Sequence, residues 1–310
     1  MFALQYSELG PPEVLTVGEA DEPHAGPGEI RIAVRAAGVT PSDWKLRAGA
    51  IPAGVLPDLP LPHIPGMDAA GVVDEVGEGV SGVAVGDPVF GIVATDRLGG
   101  AAAEFAVLAA WAAKPDALSW EEAGGAAGNV ETATRALNLL GVTEGTTLLV
   151  EGAAGGVGTA AVQLAAARGA TVIGTAREVN HAFLAGLGAA PTTYGPGLAE
   201  RVAALAPGGV DAVLDAAGSG SLPDLVAIAG DARRVVSVAD MAAHEHGAHM
   251  TWAGSGDAPG HDGLAVAAAL ATEGRFRVPL GGVFPLADAA KAHELSATGH
   301  ARGKIVLTVP

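Results

Sequence analysis

The residues best placed to do chemistry are Gly152, Ala153, Ala154, Gly155, Gly156, Val157 and Gly158, which follow the apolar run Leu148-Leu149-Val150 and open an Ala-rich segment with helical spacing. The apolar run reads as a buried parallel strand. Strand, tight glycine turn and helix N-terminus together make a phosphate cradle: glycine lets the backbone turn sharply and approach a pyrophosphate, and the free N–H groups and dipole of the helix favour negative charge. The reading that follows is a dinucleotide site, and hence redox chemistry carried by a bound cofactor.

The second strand decides which dinucleotide. About 20 residues beyond the glycines a carboxylate would hydrogen-bond the ribose hydroxyls of NAD. Here Gly174-Thr175-Ala176-Arg177 stands in that place. The planar fork of Arg177 can pair with a 2′-phosphate, and Thr175 can add a hydroxyl, so NADPH is the expected cofactor. Glu178 leaves NAD open if the loop runs differently. Ala216 with Gly218, and Val238 with Ala239, end later strand candidates and should border the nicotinamide, because ligands sit outside the carboxyl ends of such strands. Other features carry less. His244-Glu245-His246-Gly247-Ala248-His249 lacks the spacing of a helical zinc motif and reads as a surface strand or loop, so no metal site is expected. Neither a Gly-x-Ser-x-Gly elbow nor a paired-carboxylate pattern stands out.

The elements that must position these groups fall into two textures. Residues 1–118 are rich in short strand candidates (29–35, 71–77 and 86–92) with dense Pro and Gly, notably an irregular loop over 51–65. From 119 onward strand candidates (148–150, 171–175, 210–214, 234–238) alternate with helix candidates (158–168, 179–187, 198–205), the pattern of a parallel sheet covered on both faces. A helix over 263–273, a helix opened by residues 284–288 and a last strand over 304–309 are expected to return to the first domain. The fold class is α/β, with domains at 1–118 plus 256–310 and at 119–255.

Composition bounds the function. The 310 residues are 49% apolar, enough for two cores, and acidic residues outnumber basic ones 34 to 17, for a net charge of −17. Without a clustered basic patch, nucleic acid and anionic membrane are not expected partners. The chain has no cysteine, which excludes disulfides and thiolate metal sites and fits a reducing compartment. The N-terminus does not read as a signal peptide and no stretch reads as a membrane span, so a cytoplasmic protein is expected.

Four segments resemble one family. Gly38-Val39-Thr40-Pro41-Ser42-Asp43-Trp44-Lys45-Leu46-Arg47-Ala48-Gly49 is similar to its GVNPxDxKxRxG loop, Pro65-Gly66-Met67-Asp68-Ala69-Ala70-Gly71-Val72-Val73 to its PGxDxAGxV segment, and the cradle and Arg302-Gly303-Lys304-Ile305-Val306-Leu307 also match. They occur in order over nearly the whole chain. The chain resembles the medium-chain dehydrogenase/reductase superfamily, in its zinc-free quinone oxidoreductase-like branch. The resemblance implies a GroES-like β-barrel catalytic domain, with a Rossmann doubly wound parallel sheet inserted before the C-terminal return, and a homodimer built by edge pairing of the Rossmann sheets. Zinc members use a Cys and a Gly-His-Glu segment for the catalytic metal; here Cys is absent and Pro65-Gly66-Met67-Asp68 stands at the segment.

The resemblance also implies site residues. Thr132 matches a Thr beside the nicotinamide half, against the alternative of an ordinary helix Thr bonded to its own backbone. Tyr194 matches a Tyr near the adenosine phosphate, and Lys304 joins the cofactor-binding set. Thr40 stands where Asn is usual, keeping a hydroxyl but losing the amide. Asp43 and Arg47 are expected to form a structural pair. Thr40, Lys45 and Asn129 are the polar candidates for binding a small-molecule substrate, and Trp252 is the candidate to stack on a flat one. No catalytic acid is assigned. The expected function is NADPH-dependent reduction of a quinone or an activated double bond. The alternatives are a zinc-free NADP-dependent alcohol or carbonyl dehydrogenase and a non-catalytic NADPH-binding sensor.

Overall fold

The computed structural model describes residues 1–51, 59–94 and 97–310, so part of the loop expected over 51–65 lies outside the described residues. In chain order the elements are β1 (Phe2–Gln5), β2 (Thr16–Glu19), β3 (Ile30–Val39), α1 (Pro41–Arg47), β4 (Asp68–Val76), β5 (Pro88–Val93), β6 (Phe105–Ala113), α2 (Trp120–Gly124) and α3 (Ala127–Leu139). There follow β7 (Thr147–Glu151), α4 (Gly156–Ala167), β8 (Thr171–Thr175), α5 (His181–Ala185), β9 (Ala189–Thr192), α6 (Leu198–Leu205), β10 (Ala212–Asp215) and α7 (Leu222–Ala229). The chain ends with β11 (Val235–Ser237), β12 (His249–Met250), α8 (Asp262–Thr272), β13 (Leu280–Pro285), α9 (Ala289–Ala297) and β14 (Lys304–Thr308).

The chain divides into two compact units, Met1–Gly128 with Leu264–Pro310, and Asn129–Gly263. The sequence reading had put the limits after 118 and 255. Close packing accounts for the difference. In the first unit a Cβ on Gly124 would lie 2.6 Å from the Ala36 carbonyl oxygen, and one on Gly125 2.5 Å from Lys304 Cγ, so α2 lies tight against that unit's strands. In the second, a Cβ on Gly260 would lie 2.3 Å from the Glu131 carbonyl oxygen, which ties residue 260 to α3.

In the first unit the sheet order is β13-β14-β3-β4-β5-β6, and β6 also pairs with β3, which closes four strands into a barrel. Strand β3 alternates as its sequence requires: Ile30, Ile32 and Val34 point inward and pack with Leu4, Val73, Leu108 and Leu307. Each such side chain contributes about 1.5–3 kcal/mol of hydrophobic burial. Phe284 and Pro285, expected to open a helix, belong instead to β13, where their backbone pairs in parallel with Leu307 and Thr308; α9 starts only at Ala289.

In the second unit the order is β12-β11-β10-β7-β8-β9, all parallel. β7 and β10 are neighbours although β8 and β9 lie between them in sequence, so the strand order reverses there. In open parallel sheets that reversal is where ligands bind, outside the carboxyl ends of the strands. Leu148, Leu149 and Val150 are fully buried, consistent with their unbroken apolar run in a sheet covered on both faces. The 244–249 segment forms a short 3-10 turn (Ala243–His246) and then β12. Among the described residues no helix is long and apolar enough to cross a membrane.

Candidate functional site

The cradle lies at the carboxyl end of β7. Gly152 has φ +75°, and a Cβ there would lie 3.1 Å from the Ala216 carbonyl carbon. Gly155 caps α4 in extended conformation, at φ −79° and ψ 179°. The decisive glycine is Gly158: a Cβ would lie 2.3 Å from the Gly152 carbonyl oxygen and 2.7 Å from Ala153 Cα. Only a glycine lets α4 approach the turn this closely, which brings the N–H groups of its first turn to the mouth of the cradle. The second rim comes from β10 and β11. Asp215 accepts hydrogen bonds from the N–H groups of Ala217 (2.9 Å) and Gly218 (3.0 Å) and from Ser237 Oγ (2.8 Å). Ser237 Oγ in turn accepts from the N–H groups of Ala239 (3.2 Å) and Asp240 (3.0 Å), so two buried side chains shape the turns that carry Ala216, Gly218, Val238 and Ala239.

Thr175 does not face the ligand side as the sequence reading had it. It is 1% exposed; its hydroxyl accepts from Gly152 N–H and donates to Glu151 Oε2, both at 3.1 Å. Its hydroxyl therefore braces the glycine turn. Arg177 is exposed at the start of a 3-10 turn (Glu178–Asn180) after β8. Tyr194, also exposed, lies in a turn after β9 that Arg201 holds through the carbonyls of Thr193 (2.9 Å) and Pro196 (2.9 Å).

Helix α3 behaves differently from the reading of its sequence. Asn129, expected at the substrate, lies against the cradle: a Cβ on Gly156 would be 2.9 Å from its amide atoms. The Thr132 hydroxyl donates to Glu131 Oε2 (3.2 Å), so it bonds a neighbouring side chain rather than its own backbone. Buried Glu131 and Arg135 form a two-pronged ion pair (2.8 and 3.1 Å). Burial works against the Glu131 charge, but Arg135 outweighs it and holds the carboxyl below its ordinary range. Arg135 also donates to Thr251, which donates to Asp257 (2.6 Å), where Ser255 (2.6 Å) and His249 (2.9 Å) converge. This network fixes the segment that carries Trp252. The indole Nε1 of Trp252 is buried and has no hydrogen-bond partner among the described residues.

In the first unit the GVTPSD segment is tied inward. Asp43, 2% exposed, accepts from Thr40 N–H (2.6 Å), Thr40 Oγ1 (2.8 Å) and Gly66 N–H (3.0 Å). The Thr40 hydroxyl thus donates to Asp43 and lies 2.6 Å from Ser42 Oγ. Asp43 and Arg47 do not pair, contrary to expectation; Arg47 donates to the Gly10 carbonyl instead. Lys45 Nζ lies 5.9 Å from the Trp44 ring centroid, at the outer reach of a cation–π contact. Lys304 is 3% exposed and pairs with fully buried Asp68 at 3.3 Å, while Gly128 N–H donates to the other Asp68 oxygen (3.0 Å). Lys304 is thus a buried ion-pair partner of Asp68.

Sequence reasoning passed over Glu151 and Asp215. A signal was available: each is a lone acid ending an apolar run directly before a Gly- or Ala-rich turn. Among the described residues no three His, Asp or Glu side chains cluster as a metal site requires.

One unit is a parallel six-stranded sheet with a glycine turn at its reversal point, and the other contains an antiparallel barrel. Comparison with known proteins gives the family. Residues 26–116 match the alcohol dehydrogenase GroES-like domain and residues 187–307 match the zinc-binding dehydrogenase family. The structure of the quinone oxidoreductase from Coxiella burnetii aligns over 100% of this chain and 99% of its own, with TM-score 0.86 and 31% identity. Quinone oxidoreductase from Sus scrofa is 37% identical over 182 residues, 57% of this chain and 53% of that protein. The 2-methylene-furan-3-one reductase of Solanum lycopersicum is 37% identical over 174 residues, 53% and 44% respectively. The chain thus spans about half the length of these two curated relatives. It belongs to the medium-chain dehydrogenase/reductase superfamily, in the quinone oxidoreductase-like branch, a superfamily of nicotinamide-dependent oxidoreductases.

Proposed function

We propose that this chain is an NADPH-dependent reductase of quinones or α,β-unsaturated carbonyls that works without a metal. The observation that carries the reading is the glycine turn itself: Gly152 has φ +75°, a Cβ on Gly158 would meet the Gly152 carbonyl oxygen at 2.3 Å, and α4, with its free first-turn N–H groups, opens directly after it at Gly156. The residues 152–158 would hold the pyrophosphate, Ala216, Gly218, Val238 and Ala239 would border the nicotinamide, and exposed Arg177 and Tyr194 would take the adenosine end with its 2′-phosphate. The cofactor supplies the hydride; the chain's work is to orient it, exclude water and meet the charge that grows on the acceptor oxygen. Within the second unit, Trp252 is the residue we assign to stack on a flat acceptor.

A quinone and an enone share a conjugated carbonyl acceptor, and relatives bearing the names of reductases for both support this substrate class. The zinc implied by the matched family's description does not fit. The chain has no Cys, and Pro65-Gly66-Met67-Asp68 offers no imidazole or thiolate donor. The proposed working form is a soluble cytoplasmic homodimer paired through the sheet edge at β12, which sedimentation would test. For the activity, the purified protein is mixed with NADPH and panels of quinones and enones while NADPH absorbance is followed. Turnover that survives exhaustive chelation is expected. No consumption across both panels counts against the reductase, and activity lost on chelation and restored by zinc counts against the metal-free part.

A further inference from the structure

We infer that Glu151 is a positioning residue for the cofactor: in its neutral, protonated form it holds the cradle, and it takes up a proton from solvent as the dianionic pyrophosphate binds. This inference rests on the proposed reading of the 152–158 turn as a pyrophosphate site.

The argument is one of charge and place. Glu151 ends β7, the residue before Gly152, and is 2% exposed. Its Oε2 accepts from Thr175 Oγ1 at 3.1 Å, and that hydroxyl accepts from Gly152 N–H at 3.1 Å, so the carboxyl stands two hydrogen bonds behind the first cradle glycine. The elements around it supply hydroxyls and one acid. Strand β8 offers Thr175, the turn before α7 offers Ser219 at 3.4 Å and Ser221, and β10 places Asp215 directly across in register. Helix α4 contains no ionisable residue. Among the described residues no Lys, Arg or His forms an ion pair with Glu151 or Asp215.

The two buried acids are not equivalent. Asp215 gathers two backbone N–H groups and Ser237 Oγ, donors that suit a carboxylate. Among the described residues Glu151 is met only by hydroxyls, which accept as readily as they donate. A protonated Glu151 can give its O–H to Ser219 Oγ while still accepting from Thr175. Burial, with the Asp215 charge adding to it, pushes the carboxyl above its ordinary range despite the hydroxyl bonds. A charged Glu151 would place an unpaired anion against the pyrophosphate in a low-dielectric site, where like charges are screened little. Binding therefore raises its proton affinity further. The balance is simple: a carboxylate and a proton from buffer become a carboxylic acid, and no bond to the cofactor forms.

The test is NADPH affinity across pH for wild type and Glu151→Gln, an uncharged isostere. Wild-type affinity should fall as pH rises through the ionisation of the free protein's Glu151, by at most about tenfold per pH unit for one linked proton. E151Q should keep the low-pH wild-type strength with that fall removed. The 2′-phosphate titrates alike in both proteins, so the difference between the profiles isolates residue 151. A parallel profile in E151Q overturns the inference while leaving the cofactor site standing. Failure of both proteins to bind NADPH or NADH at any pH overturns the cofactor reading and this inference with it. Should E151Q not fold, calorimetry of wild type with ADP-ribose in buffers of different ionisation heat decides: net proton uptake is expected, and no uptake, or release, overturns it.

Discussion

Adding one methyl group to the cradle at two nearby positions should have two different outcomes. At 158 a Cβ must sit 2.3 Å from the Gly152 carbonyl oxygen and 2.7 Å from Ala153 Cα, both backbone atoms of the turn. Non-bonded heavy atoms settle near 3.5–4.0 Å, so α4 must retreat from the turn by about 1 Å. Overpacking of this kind costs about 1–3 kcal/mol. The retreat also withdraws the first N–H groups of α4 from the pyrophosphate. Losing two hydrogen bonds to a charged group, at about 1.5–3 kcal/mol each, weakens NADPH by about 100-fold or more. At 155 the backbone is extended with φ −79°, and the nearest atom to a Cβ is the Gly152 carbonyl oxygen at an ordinary 3.4 Å. Gly155→Ala should therefore keep its stability within about 1 kcal/mol, while its methyl group stands where the phosphate must approach. Thermal unfolding and fluorescence titration with NADPH separate the cases. G158A should unfold roughly 5–10 °C early and bind poorly; G155A should unfold with wild type and bind poorly. A G158A protein with wild-type melting and affinity, or a G155A protein as unstable as G158A, would refute the reasoning.

Arg177→Ala should weaken NADPH by about 10- to 100-fold, the worth of a charge-assisted contact, and leave NADH within about twofold; equal losses in parallel titrations would sink the 2′-phosphate assignment. Lys304→Met strands the fully buried Asp68 carboxylate and should cost about 3–5 kcal/mol in denaturant unfolding, with adding Asp68→Asn recovering part of it. Asp257 should make acid unfolding steeper. Burial opposes its charge, but bonds from Ser255, Thr251 and His249 win and hold it at about 2 against an ordinary 3.8. Because the folded value is depressed, the stabilisation is complete above the ordinary value and is lost as pH falls towards 2. Asp257→Asn should flatten the stability profile over that interval, and an unchanged profile would count against the network.

How much of this was legible in the sequence varies by residue. The cradle was legible because glycine requirements are local: a turn at Gly152 and a close approach at Gly158 follow from chain geometry and from the strand and helix on either side. Strands 171–175 and 148–150 were legible because burial on both faces of a parallel sheet writes an apolar run, and helix 198–205 because its buried Leu198 and Val202 recur at helical spacing. The unit limits were not, because Gly124, Gly125 and Gly260 matter only through the distant atoms they touch, Ala36, Lys304 and the carbonyl of Glu131. The fates of hydroxyls were not legible either. Thr40, Thr132 and Thr175 each offer the same donor in sequence, and only the fold reveals that Asp43, Glu131 and Glu151 have claimed them.

By itself, then, the sequence determined the class of fold, the place of the cradle, the cation at 177 and the absence of thiolate ligands. Those properties depend on residue type and short-range spacing. The tertiary structure alone decided which polar groups have partners, set Asn129 against Gly156, sealed Lys304 onto Asp68 and buried the carboxyls of Glu151 and Asp215 side by side at the ends of β7 and β10. Those outcomes depend on atoms that meet across chain separations from 24 residues, as Thr175 meets Glu151, to 236, as Lys304 meets Asp68, and on burial, which makes each unpaired or unclaimed polar group costly enough to matter.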